Sequence, residues 1–110
     1  MIRSDDMRDD AYAWVTNQCG HGVLGIAVVV VADALGLHWL GQPIAAALVY
    51  WLVAEVALQR LRLWRDAIMD TAHVMAGASL AAAIARDDLT AVAVLAVWGA
   101  LLGFGAWRRR

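Results

Sequence analysis

The chain contains no lysine: all nine of its basic residues are arginines. It has one cysteine, one proline and one phenylalanine among 110 residues. The lone Cys19 excludes an internal disulfide framework and leaves the redox compartment open. A formal net charge of -1 and the lack of a basic stripe argue against a nucleic-acid binder. No positively charged segment precedes the first apolar stretch. Asp5, Asp6, Asp9 and Asp10 stand there instead, so no signal peptide is expected and the retained helices would do any inserting. No HExxH motif is present either. What the chain has in excess is apolar residues, at 63%, where an ordinary soluble domain has about half. One domain, residues 1–110, is expected.

Four apolar stretches emerge, at about 22–40, 44–58, 67–85 and 89–107. Each approaches the roughly 20 residues that a helix needs to cross a bilayer core. The expected fold is all-α: a bundle of four transmembrane helices, or three if the third or fourth lies shallow. Residues 1–20 read as a cytoplasmic or interfacial segment. Ser4 suits a helix N-cap, the aspartates after it suit the positive end of a helix dipole, and Trp14 suits an anchor at the membrane surface. Gln42 and Pro43 form a turn, with Pro43 at the first position of the next helix.

Arginine placement sets the expected orientation. Two arginines precede the first span, three lie in 59–66 and three end the chain, against none near 38–43 and one in 86–88. Positive-inside counting then puts both termini in the cytoplasm of a bacterial inner membrane. Trp14, Trp64 and Trp107 fall at that interface, and Trp39 at the other.

The stretch DAIMDTAHVMAGASLAAAIA, 66–85, is the expected centre. Steps of four, three and four bring Asp66, Asp70, His73 and Gly77 onto one helix face. Small residues offer close packing: Gly99 with Gly103 in the last span, Ala32 with Gly36 in the first, Gly77 with Ala81 in the third. A homo-oligomer is expected, because so small a bundle has few internal surfaces.

Orientation brings Asn17, His21, Glu55, Asp66, Asp70 and His73 to similar depth as a polar intramembrane cluster. Ionisable groups there cost about 2.5 to 3.5 kcal/mol on insertion scales and so face protein or water. One candidate is a zinc or iron site using His21, Glu55, Asp70 and His73, with Asp70 and His73 at the i, i+3 spacing that can aim two ligands at one ion. Another is a bis-histidine haem between the first and third helices. In size and span count the chain resembles the haem-bearing membrane anchors of respiratory dehydrogenases, but it lacks their fuller histidine motifs. The favoured alternative is mutual pairing, with Glu55 on Arg60 or Arg62 and His73 on a neighbouring carbonyl or carboxylate. No cofactor is expected. Asp33, deeper and alone, is a possible proton or cation site of a transporter or channel, or a partner for Ser79 or Thr90. Tyr50, Trp51 and Trp98 read as core packing.

In length and four-span layout the chain also resembles the small multidrug transporters. It departs from them at the family's glutamate in the first span, where this chain carries Asp33, and their aromatic signature is absent. The pattern Trp14…Asn17-Gln18-Cys19-Gly20-His21-Gly22…Gly25, Tyr50-Trp51…Glu55 and Asp66…Asp70-Thr71-Ala72-His73-Val74…Gly77-Ala78 resembles small phage- and prophage-encoded holin-like membrane proteins. That resemblance implies oligomerisation in the inner membrane, permeabilisation or control of host lysis, a partner lysis protein and no catalytic residues.

Overall fold

A computed structural model of the protein describes residues 10–56 and 64–110, without the side chains of residues 54–56, 64 and 66. The described chain is all-helical: α1 Ala11–Ala34, α2 Gln42–Val56, α3 Trp64–Ala85 and α4 Thr90–Trp107. Three segments are long and apolar enough to cross a membrane, namely α1, Ala67–Ala85 of α3, and α4.

Local chemistry fixes the ends of α1. The Asp10 carboxylate accepts hydrogen bonds from the backbone N–H groups of Tyr12 (2.9 Å) and Ala13 (3.1 Å), closing the N-terminus as a side-chain cap. Ser4 lies outside the described residues. One 24-residue helix runs through Gly20 and Gly22, so the second half of the 1–20 segment is continuous with the first apolar stretch. At 1.5 Å per residue it is about 36 Å long. It stops at 34 rather than 40 because Gly36 takes a left-handed φ of 78°. Gly36 N–H then bonds the Asp33 carbonyl and Leu37 N–H the Ala32 carbonyl, both at 2.9 Å. This is a Schellman closure. His38 and Trp39 therefore lie in the connection, beyond the helix.

The Gln42 side-chain amide ties the start of α2 to this connection, donating to Asp33 Oδ1 (3.2 Å) and to the Leu37 carbonyl (3.1 Å). At the α3–α4 turn, Asp87 has a positive φ of 50°. Asp88 Oδ1 accepts from Thr90 N–H at 3.0 Å, holding the first turn of α4. Arg86 pairs with Asp88 at 3.5 Å and stacks over the Trp39 ring, 3.4 Å from its centroid, so the two connections meet at one end of the molecule.

Neighbouring helices alternate in direction. Tyr50 reaches His21 while Gln42 reaches Asp33, so α2 runs against α1. Gly105 packs on Trp14 while Gly22 packs on Trp98, so α4 also opposes α1. Gly25 meets Val74, and Val29 shares a core cluster with Ala78 and Ala82, so α1 and α3 run in parallel.

The interior is built from small residues. Ala46, Val74 and Ala78 are fully enclosed, with Val29 and Ala82 beside them. A Cβ at Gly25 would overlap the Val74 carbonyl oxygen, and one at Gly77 would overlap the Gly22 carbonyl oxygen. Backbone contact between α1 and α3 at these points is what the missing side chains permit. Large apolar residues face outward instead: Val23, Val30, Leu48, Leu52, Ile84, Val92, Leu95, Val97 and Phe104 are all exposed. An exterior richer in large hydrophobes than the interior reverses the usual partition of a water-soluble domain.

Candidate functional site at the α1–α3 crossing

The parallel packing of α1 and α3 brings two i, i+3 pairs together, Gln18 with His21 and Asp70 with His73. All four side chains are buried, His73 the deepest at 1% exposure. Gln18 Nε2 donates to Asp70 Oδ1 at 3.0 Å. The Tyr50 hydroxyl, supplied by α2, donates to Asp70 Oδ2 at 3.1 Å and lies 3.3 Å from His21 Nε2. His21 Nε2 is itself 3.6 Å from Asp70 Oδ2. The Asp70 carboxylate of α3 thus holds groups from two other helices, which is how a buried charge offsets part of its desolvation.

One turn further along α3, Trp98 of α4 donates its indole N–H to His73 Nδ1 at 2.8 Å. Trp14 presents its ring to His73 edge-on, with centroids 5.7 Å apart. Trp14 also lies under the Arg109 guanidinium, 4.2 Å from the ring centroid, while Arg109 Nη1 donates to the Gly105 carbonyl. Three buried polar atoms in this region have no partner among the described residues: Gln18 Oε1, His21 Nδ1 and His73 Nε2. Each such atom costs about 1 to 3 kcal/mol if left bare.

Of the residues singled out from the sequence, the structure brings His21, Asp70 and His73 into one neighbourhood. Asn17 is only half-buried, and its neighbour Gln18 makes the contact to Asp70. The Glu55 and Asp66 side chains, with Gln59, Arg60 and Arg62, fall outside the described residues. Asp33 does not reach Ser79 or Thr90. Because α1 ends at Ala34, its carboxylate is exposed at the helix end and accepts from Gln42. Trp14 is not a surface anchor: it is buried between α1, α3 and α4. Gly77 packs on Gly22, whereas added Cβ atoms at Gly99 and Gly103 would meet none of the described residues.

Among the described residues no group of three His, Cys, Asp or Glu side chains is arranged to hold a metal ion. A porphyrin between His21 and His73 would need space where the Gly22 and Gly77 backbones touch. Gln18, Tyr50 and Trp98 are the members of the cluster that sequence reasoning did not identify. The signal that could have found Gln18 is its spacing of three from His21, which matches that of Asp70 and His73 on the helix alongside.

A separate apolar groove of about 690 Å³ lies between α1 and α2, with Leu24, Val28, Val31, Val49 and Val53 among its walls. Tyr50 is its link to the polar cluster. No family model matches the chain, and no curated protein or solved structure matches it either.

Proposed function

We propose that the chain is a small polytopic protein of a bacterial inner membrane that self-associates and permeabilises the bilayer in the manner of a holin. The observation that carries this reading is the state of α4. Gly105 is its one buried residue, and among the described residues nothing lies against its Gly99–Gly103 ridge. Lipid gives helices no hydrophobic reason to associate, so a bare glycine ridge beside Val92, Leu95 and Phe104 suits close contact with another helix. A polar cluster enclosed within each protomer leaves these apolar faces free for such contacts.

Alternating helix directions suit four crossings with both termini on the arginine-rich, cytoplasmic side. The transporter alternative draws no support from Asp33, which is exposed and held by Gln42 at the end of α1. The reading is tested by reconstituting the purified protein into vesicles loaded with a self-quenching dye. Dye release should rise steeply with protein density and fall when Gly99 and Gly103 are replaced by leucine. Retention of the dye at all densities would overturn it.

A further inference from the structure

The three unpartnered atoms at the α1–α3 crossing are complementary in kind. His73 Nδ1 accepts from Trp98, so the proton of this imidazole sits on Nε2, which is a donor. Tyr50 gives its own proton to Asp70 Oδ2. Its oxygen is therefore set to receive the proton of His21 Nε2, which leaves His21 Nδ1 as an acceptor. Gln18 Nε2 is committed to Asp70, and Gln18 Oε1 is a second acceptor. One donor and two acceptors, all buried, sit on adjacent turns of two touching helices. His21 Nε2 lies 3.6 Å from Asp70 Oδ2, and His73 stands one turn from Asp70 on α3.

We propose that Gln18, His21 and His73 bind one internal water molecule, which donates to Gln18 Oε1 and His21 Nδ1 and accepts from His73 Nε2. Three hydrogen bonds are the usual complement of a buried water. The water joins His73 to the His21–Tyr50–Asp70 chain as one continuous hydrogen-bonded path. This path lies inside the protomer, separate from the outward face of α4.

Solid-state NMR of the full chain, labelled with ¹⁵N at histidine and placed in lipid bilayers, tests this. The expected spectra show water cross-peaks at both imidazoles and the His73 proton on Nε2. Gln18→Leu should lose the water cross-peaks. Tyr50→Phe, which keeps the ring and its packing, should retain them while shifting the His21 Nε2 resonance. Dry imidazoles in the folded wild-type protein, or a His73 proton on Nδ1, would overturn the proposal. So would water cross-peaks unchanged in folded Gln18→Leu.

Discussion

At the α1–α3 crossing, Gly25 faces the Val74 carbonyl oxygen and Gly77 faces that of Gly22, with no room for a Cβ at either position. Gly25→Ala must push two helix backbones apart, and overpacking of this kind typically costs about 1 to 3 kcal/mol. Reversible unfolding in mixed micelles should show that loss, while Gly99→Ala, whose methyl meets none of the described residues, should leave protomer stability unchanged. Trp98→Phe removes the N–H that His73 Nδ1 accepts and strands a buried acceptor, for a further loss of about 1 to 3 kcal/mol. A fluorescence-detected unfolding curve for this variant that overlays the wild type would show the bond to be idle. The polar residues of the third span were legible in the sequence because an aspartate and a histidine three apart in an apolar stretch need partners. Gln18 was not singled out as one, since Asn17 stands equally near His21 and only the rotation of α1 against α3 decides between them.

At the level of elements, the sequence located the helices well and their ends less well. The starts of α3 and α4 follow from changes in composition. Two features of α1 do not: its unbroken passage through residue 20 and its early stop at Ala34. The passage depends on tertiary contacts that accept Gly22 beneath Trp98. The stop depends on a left-handed glycine at 36, which had been read as half of a packing pair. Asp88 gives the α3–α4 turn a pH-dependent character. The Thr90 backbone N–H, followed by the Thr90 side chain and Arg86, favours its ionised form and holds its pKa below the ordinary aspartate value. A carboxylate with a lowered folded-state pKa stabilises the turn above the unfolded pKa. That contribution fades as the pH falls through the folded value. The Thr90 amide resonance should therefore titrate with a midpoint below that of a free aspartate, and Asp88→Asn should abolish the transition. A midpoint at the free-aspartate value would show that the cap does not discriminate between the two protonation states.

For the molecule as a whole, the balance of inside and outside matters most. Small residues and a hydrogen-bonded polar cluster fill the interior, and Val, Leu, Ile and Phe cover the exterior. The all-helical architecture with long apolar helices was legible from 63% apolar content and the spacing of the apolar stretches. The division of labour among the glycines was not, because GxxxG spacing is the same whether a ridge meets its own chain or another. In detergent, donor- and acceptor-labelled copies should show energy transfer that Gly99→Leu with Gly103→Leu reduces, with protomer stability unchanged. Equal transfer in the double variant would move the interface to another face, such as the α1–α2 groove.

The most direct test is expression in a bacterial host that also makes a cytoplasmic muralytic enzyme, following culture density and membrane potential together. Abrupt loss of potential followed by lysis at a reproducible time, delayed or abolished by the double leucine variant, is the result expected of a self-associating, membrane-permeabilising bundle. Sustained growth and an intact potential at high levels of membrane-inserted protein would contradict it.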